Sequence, residues 1–528
     1  LGDRSRVARN AGIVGISVLV SRITGLIREM VIAGVFGAGS ATDAFFVAFR
    51  IPYTLRQLFA EGGMNVAFIP VLSEVKTRSS RENVERFIGN VLVTFSLALF
   101  FIIGFVEFFP DIVVKLFAFG FSKEPSTYNL TILLTRMVFP YIWLISMVVL
   151  LGGVLNTYGY FFAPAISQAL LNISIAGFGY FLGRYQFGLP PIVSLAYGVL
   201  VGGFLQLLLQ VVCFPRTGLK VYPHFDIRDP YMREVGKLLL PAAMGLMVYQ
   251  LNTLVSTQLA SFLQRGSVSY LYYGDRLMQL PIGVFSFAIS TAALPSLSMQ
   301  SASSEHDRAA ELLSFSMRLN FLLVIPVMIL YLFLADQIVD ILYRRGAFTL
   351  EEVRATGSVL RLYAVGLWSA ASVRVLAPYF YSRKEPYVPL KSGLVSLTLN
   401  FVLGIVLMRY ISYRGLALSI AVASMGNFTF LWIMASRRHK LLGFKNFRTI
   451  FFKLFVASAL GIFTLLLFRY FWAYPLHSSL LLRLLWLTFA SSVVFLVYFS
   501  ATIVLKVEEA VSLLKGAGKR LGLVKQKD

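Results

Sequence analysis

Residues 87–109 read FIGNVLVTFSLALFFIIGFVEFF, a run of 23 positions in which Glu107 is the only charged side chain. A helix needs about 20 mostly apolar residues to cross the hydrocarbon of a bilayer, and a helix that is apolar on every face belongs in a membrane or a deep core. Thirteen further runs of this kind surround it. They lie near 11–36, 41–70, 128–155, 161–183, 191–214, 238–262, 268–299, 313–334, 355–380, 388–408, 415–436, 449–472 and 481–505. The whole chain agrees with the local reading: of 528 residues, 57% are hydrophobic and 14% charged, whereas soluble domains carry about 25% charge. The fold class expected is therefore an all-α polytopic membrane protein with 14 transmembrane helices. Pro52 and Pro281 fall inside the second and eighth runs, where they predict bent helices whose freed backbone groups face protein or water.

The net charge of +23 would suggest nucleic acid in a soluble chain, but here the bases are read against a bilayer. With the N-terminus inside, 26 Lys and Arg fall in cytoplasmic segments, 11 in outer segments and 11 within spans. That asymmetry predicts both termini in the cytoplasm and removes the need for a nucleic-acid partner. The run from Ala11 is too long for a signal-peptide core and is read as the first span. The last 20 residues, with Lys515, Lys519, Arg520 and Lys525 beside Val511, Leu513, Leu514 and Leu521, read equally as a short amphipathic helix on the inner leaflet or as a solvated tail.

A segment repeats. Ala67-Phe-Ile-Pro70-Val-Leu72-Ser73 returns as Ala292-Ala-Leu-Pro295-Ser-Leu297-Ser298, an offset of 225 residues that also relates Arg136 to Arg361 and Pro164 to Pro389, while Gly39-Ser40 and Gly266-Ser267 pair at 227. Six spans per copy is an even number, so the two copies share orientation and are related by an axis along the membrane normal. The expected organisation is an N-lobe at 1–220 (helices 1–6), a C-lobe at 221–440 (helices 7–12), helices 13–14 at 441–505 and a basic cytoplasmic tail at 506–528.

Ionisable residues at membrane depth are costly, at least about 2.5–3.5 kcal/mol each at the bilayer centre, and mark cavities or partners. The first run holds Arg22, Arg28 and Glu29, the second Asp43, Arg50, Arg56 and Glu61, and the eighth Asp275 and Arg276. Asp43 and Arg50 are seven residues apart, about 700° of helical rotation, and so share a face. Five arginines against four carboxylates leave an excess of positive charge that calls for an anion. Guanidinium reads phosphate through two parallel hydrogen bonds and stays ionised. A phosphorylated, partly apolar substrate in an arginine-lined cavity is expected, with Arg136, Arg361 and Arg374 as weaker candidates or structural residues.

Several chemistries are missing from the sequence. No G-x-x-x-x-G-K-[ST] occurs, and Gly37-Ala-Gly39 reads as a turn between spans, so no nucleotide chemistry is expected. One cysteine, Cys213, and four scattered histidines give no disulfide, zinc set or nucleophile–base pair. A transporter without cofactor follows, its energy drawn from the membrane potential, an ion gradient or downstream consumption.

Longer strings carry a family resemblance. Ser21-Arg22-Ile-Thr-Gly25-Leu-Ile-Arg28-Glu29, Phe36-Gly-Ala-Gly39-Ser-Ala-Thr42-Asp43-Ala-Phe-Phe46, Arg56 before Phe59-Ala-Glu61-Gly62, Tyr272-Tyr273-Gly-Asp275-Arg276-Leu-Met and Ala377-Pro378-Tyr-Phe-Tyr381-Ser-Arg383 resemble the motifs of the MurJ (MviN) family across essentially the whole chain. That family comprises the lipid II flippases of bacterial peptidoglycan synthesis, within the multidrug/oligosaccharidyl-lipid/polysaccharide exporter superfamily. The resemblance implies two six-helix lobes, a lipid groove made by the last two helices, and lipid II with membrane lipids as partners of a monomer in the bacterial cytoplasmic membrane. It assigns substrate binding to Arg22, Arg28, Asp43, Arg56 and Arg276, with a basic residue typical at Arg50. Glu61 and Asp275 join the site as the nearby carboxylates. Gln279 stands where some relatives have an acid, so Asp275 is the carboxylate left for Arg276. The seventh span offers only Gln250, Asn252 and Gln258 for an ion. The alternative readings are a flippase for undecaprenyl-pyrophosphate-linked polysaccharide units, which would share the arginines but not these strings, and a cation-coupled drug exporter, which an arginine excess disfavours. A membrane enzyme of the lipid cycle would need a cytoplasmic aspartate cluster.

Overall fold

In a computed structural model, residues 2–58, 64–185, 188–302, 306–383, 385–438 and 444–520 are described, and among them there are helices and no strand. The first half comprises α1 (Gly2–Phe36), α2 (Ser40–Leu55), α3 (Met64–Arg78), α4 (Arg81–Phe108), α5 (Pro110–Ala118), α6 (Pro125–Val138), α7 (Tyr141–Thr157), α8 (Phe162–Phe181) and α9 (Val193–Cys213). The second comprises α10 (Pro230–Ala260), α11 (Ser267–Pro281), α12 (Phe287–Ala302), α13 (His306–Tyr343), α14 (Leu350–Val365), α15 (Leu367–Ser382), α16 (Tyr387–Ile411) and α17 (Tyr413–Arg438). Last come α18 (Phe444–Phe471), α19 (Leu480–Val504) and α20 (Glu508–Arg520).

Local chemistry sets many of these ends. Proline opens α5, α6 and α10, where its missing N–H costs nothing and its fixed φ suits a first turn. The Asp229 carboxylate accepts from Tyr231 N at 2.7 Å and Met232 N at 3.1 Å, capping α10. Gly37 takes φ 68°, and Thr42 ties the turn before α2 by donating to Gly37 O at 3.1 Å, so the Gly37-Ala-Gly39 string is a turn between helices as expected.

Ten helices among the described residues are long and apolar enough to cross a membrane, and eleven if α14 and α15, bent by 50° at Gly366, form one span. The other three expected spans are helical too: 11–36 is α1, 41–70 is divided between α2 and α3, and 238–262 is α10. α1 holds Arg22, Arg28 and Glu29 and α2 holds Asp43 and Arg50, and α11, within the ten, holds Asp275 and Arg276. At Pro281, where a bend is expected, α11 passes into a π-helical segment over Ile282–Ser286 before α12. A π-helical turn at 56–58 likewise follows α2. Exposed aromatic side chains such as Phe101, Phe108, Tyr410 and Tyr470 stud the outside, a surface that suits lipid and not water.

The helix starts repeat. α4 begins at 81 and α13 at 306, α6 at 125 and α14 at 350, α8 at 162 and α16 at 387, three pairs each 225 apart. The chain forms two compact units, Leu1–Ser269 with Tyr343–Thr349, and Tyr270–Leu342 with Leu350–Asp528. In the first, α1 lies on α8, α8 on α9, α2 on α6, and α10 on α3 and α5. Asn90 of α4, fully buried, clips the segment after α9 by exchanging bonds with Asp226 N (2.8 Å) and Asp226 O (2.7 Å). In the second, α16 packs on α17 and α18 on α19, around a core that includes Leu313, Phe321, Leu376 and Tyr379. Asp340 of α13 accepts from Arg483 of α19 at 2.8 Å and from Tyr474 at 2.5 Å, which fastens the α18–α19 hairpin. Of the tail, Glu508–Arg520 forms α20, and 521–528, with Leu521 and Lys525, lie outside the described residues. α20 docks through Glu509, whose carboxylate meets Arg318 Nε at 2.7 Å and whose burial pushes its pKa up.

Candidate functional site

The expected site residues separate into groups with different surroundings. Arg22 is half-buried on α1. Arg28, six residues later, is buried; its Nη1 donates to Asn172 Oδ1 of α8 at 3.0 Å and its Nη2 pairs with the adjacent Glu29. The same Asn172 donates through Nδ2 to Ser21 O at 3.0 Å and Thr24 Oγ1 at 3.3 Å. Gly25 permits this approach, since a Cβ there would come within 3.3 Å of the amide. The Ser21–Glu29 string is thus the face of α1 that packs on α8.

Arg56 leaves the end of α2, where the π-helical turn starts. It is buried, lies over the Tyr53 ring at 5.3 Å and donates from Nη1 to Gln168 Oε1 of α8 at 3.5 Å. Gln168 and Asn172 are four residues apart, so Arg56 and Arg28 reach neighbouring positions on one face of α8. Arg50 goes elsewhere: its Nη1 donates to Thr257 Oγ1 of α10.

Asp43 has a different task. Its carboxylate accepts from Gly266 N at 2.6 Å and from Ser269 N and Oγ at 2.7 and 2.6 Å, all at the start of α11. The first N–H groups of a helix have no partner within it and carry partial positive charge, so a buried carboxylate there is well satisfied. Asp43 shares a helix face with Arg50, as its spacing required, but its hydrogen bonds serve α11. Glu61 lies outside the described residues.

On α11, Arg276 rests on its own helix. Its Nη2 donates to Tyr272 Oη at 3.1 Å and the guanidinium sits 4.8 Å from the centre of that ring. Asp275 accepts from Gln279 Nε2 at 3.3 Å, so the carboxylate left for Arg276 is engaged with the next turn instead. Gly274 allows α14 to approach, because a Cβ there would come within 2.7 Å of Val359. Of the weaker candidates, Arg361 pairs with Asp336 at 2.8 Å, whereas Arg136 and Arg374 are exposed.

The polar groups of α10 are also in use. Gln250 donates to Gln57, and Gln258 accepts from Phe119 N at 2.8 Å while donating to Lys115 O at 3.3 Å. Among the described residues no three His, Cys, Asp or Glu side chains gather as a metal site.

Sequence reasoning missed Gln168, Asn172, Thr257, Ser269 and Tyr272. Their signal was weak: an uncharged polar residue inside an apolar run, paired at four-residue spacing only in Gln168 and Asn172. Chemically, the arrangement on α8 presents two oriented guanidinium groups, a device for a bulky oxyanion.

A family model described as lipid II flippase MurJ matches residues 32–504. The probable lipid II flippase MurJ of Buchnera aphidicola subsp. Schizaphis graminum is 34% identical over 490 residues, 92% of this chain and 94% of its own. The Vibrio cholerae protein of the same description is 34% identical over 440 residues, 81% and 82% of the two chains. The lipid II flippase MurJ of Burkholderia cenocepacia is 34% identical over 428 residues, 80% and 82%. Among solved structures, lipid II flippase MurJ in an inward closed conformation superposes with a TM-score of 0.79 at 26% identity, covering 93% of this chain and 98% of that one. An inward-facing MATE family multidrug transporter of the MOP superfamily shares the fold at a TM-score of 0.63 and 14% identity, covering 80% and 95%.

Proposed function

The chain belongs to the MurJ family of lipid II flippases, and on that premise we propose how it moves lipid II, the undecaprenyl-pyrophosphate-linked peptidoglycan precursor, from the inner to the outer leaflet of the bacterial cytoplasmic membrane. The mechanism is alternating access without a covalent step. The headgroup and pyrophosphate enter from the inner leaflet, the lobes at 1–220 and 221–440 rock, and the headgroup leaves outside while the undecaprenyl tail stays in lipid along α18 and α19. Arg28 and Arg56 bind the pyrophosphate, with Arg22, Arg50 and Arg276 serving the same anion. Asp43 acts through α11 and Asp275 through Gln279, as positioning residues. Glu61 completes the set by sequence.

One observation carries the assignment: Arg28 and Arg56, from two different helices, converge on the amides of α8 one turn apart. The two amide oxygens orient the forks without adding charge, Arg28 sharing its other side with Glu29, and a guanidinium stays ionised toward phosphoryl oxygens. The full topology completes the reading, with 14 spans, both termini and the basic tail in the cytoplasm, a monomeric chain, and energy from the membrane potential or an ion gradient.

Rescue of a strain depleted of its own lipid II flippase, with lipid II followed at the outer face, tests the activity. Growth with outer-face lipid II is expected, and growth arrest with inner-leaflet accumulation overturns it. Single cysteines at Ser79 and Ser436 should label from the cytoplasm and one at Ser126 from outside. The same side for all three would sink the 14-span topology.

A further inference from the structure

A cavity of about 240 Å³, lined by none of the residues assigned to the pyrophosphate, opens where the turn between α3 and α4 meets the end of α7 and the segment after α9. Lys76, Arg81 and Tyr158 supply its polar wall, and the buried Val84 and Leu219 its apolar one. Lys76 Nζ donates to Thr157 O at 2.9 Å and sits 4.0 Å from the centre of the Tyr158 ring, and no carboxylate among the described residues pairs with it. Arg81 gives its Nε to Glu85 at 3.1 Å and makes no other side-chain hydrogen bond among the described residues. Glu85 is shared, since it also accepts from Lys220 N at 2.8 Å and so ties the segment after α9 to α4. Two cations against that one carboxylate leave the cavity positive. The Tyr158 hydroxyl has no hydrogen-bond partner among the described residues, and burial pushes its pKa up, so it stays protonated and able to donate.

We propose that this cavity binds a phosphate group at the membrane surface, carried by an anionic lipid headgroup or by a soluble phosphate. Lys76 supplies the charge, Arg81 a forked donor and Tyr158 a hydroxyl, a set that matches the several oxygens of one phosphoryl group. Its depth suits the ligand. Thr157 closes an apolar span, and the exposed Tyr160 and Phe162 follow directly, with Tyr160 Oη fastened to Arg216 O at 2.7 Å. Aromatic side chains at the end of a span mark the headgroup level, and basic pockets there attract anionic lipid. Under the topology proposed above, that level is the inner leaflet. The duplication does not copy the set, for Ser301, His306 and Arg383 stand 225 residues on from Lys76, Arg81 and Tyr158. The site is a property of the first half alone.

The full chain in detergent is titrated by calorimetry with dihexanoyl phosphatidylglycerol and, separately, with inorganic phosphate. Saturable binding of at least one is expected. Tighter binding of the lipid identifies a headgroup as the source, tighter binding of phosphate a soluble one, and no binding of either overturns the proposal. Lys76→Gln and Arg81→Gln should each weaken the bound probe by about tenfold, and Tyr158→Phe by about fivefold, at unchanged thermal midpoint. If one of these variants does not fold, the other two are judged by the same ratios, and affinities equal to the parent's overturn the proposal. Arg86→Gln removes the same charge from an exposed arginine of α4 paired with Glu82, and should leave the affinity within about twofold. A loss there as large as in Lys76→Gln means diffuse surface charge and overturns the cavity. Arg56→Ala should bind the probe as the parent does. If it loses binding while Lys76→Gln keeps it, the phosphate sits at the pyrophosphate arginines and this proposal falls alone.

Discussion

α2 and α11 occupy corresponding places in the two halves of the chain and solve the same problem differently. Each begins just after a Gly-Ser step, at Ser40 and Ser267, each carries an arginine, Arg50 and Arg276, at an offset of 226, and each runs into a π-helical turn. The start of α11 is capped by Asp43 of α2, whose partner Ser269 lies 226 residues on, at Asp43's own place in the repeat. The arginines diverge. Arg50 is bonded across to a buried threonine of α10, whereas Arg276 leans on Tyr272 of its own helix. A side chain tied to another helix is part of packing, and moving it disturbs two elements. The Arg276–Tyr272 contact lies within one helix, so losing that contact disturbs α11 and not a seam between two helices. Duplication supplied the two arginines, and divergence gave them different constraints.

The largest effect that sharpens this contrast is expected at the cap. Asp43→Ala strands three donors at a buried helix start and should lower stability by about 3 kcal/mol, seen as a large drop in the thermal midpoint in detergent. Asp43→Asn, which keeps one acceptor oxygen, should fall between. An unchanged midpoint in the alanine variant would mean that α11 needs no cap from α2. Next in size is the pair Arg276→Ala and Arg50→Ala. Both should abolish rescue of a flippase-depleted strain, but only Arg50→Ala should also cost stability, about 1 kcal/mol for its lost bond to Thr257. Equal midpoints for the two variants would break the distinction between a locked and a locally held arginine.

How much of this was legible in the sequence follows from what carries a signal. Apolar runs located most of the long helices from α4 onward, because a bilayer imposes length and composition together, but 128–155 merged α6 with α7 and 355–380 merged α14 with α15. Pro281 sits where α11 passes into a π-helical segment, and the 225-residue offset between Pro70 and Pro295 reappears in the helix starts. α5 was not legible: nine residues with Asp111 and Lys115 are too short for a periodic pattern and read only as a connection. The charged members of the site stood out because charge at membrane depth is expensive, and the Ser21–Glu29 and Phe36–Phe46 strings led to the family that the match over 32–504 establishes. Their partners did not stand out. Gln168, Asn172 and Thr257 are uncharged, and the amides that occupy Asp43 lie more than 220 residues away. Spacing placed Asp43 and Arg50 on one face correctly, yet a shared face says nothing about what each group bonds.

The smallest expected effect is also the most discriminating, because it removes a single oxygen from each side of the comparison. Tyr272→Phe keeps the ring under the Arg276 guanidinium but deletes the hydroxyl that accepts its Nη2 hydrogen at 3.1 Å. Thr257→Val keeps the shape of a buried side chain but deletes the oxygen that accepts from Arg50 and donates to Thr253 O at 2.8 Å. A net hydrogen bond is worth about 1 kcal/mol in either place, so the magnitudes do not separate the two arginines and the readout must. In Thr257→Val the loss should appear in the thermal midpoint, since the stranded donor joins two helices. In Tyr272→Phe the midpoint should stay put, and the loss should appear as an approximately fivefold weaker affinity for farnesyl diphosphate, because the remaining cation–π contact holds the arginine less directionally. If Tyr272→Phe instead lowers the midpoint as much as Thr257→Val does, Arg276 is as deeply built into packing as Arg50, and α2 and α11 have not diverged in the way their contacts indicate.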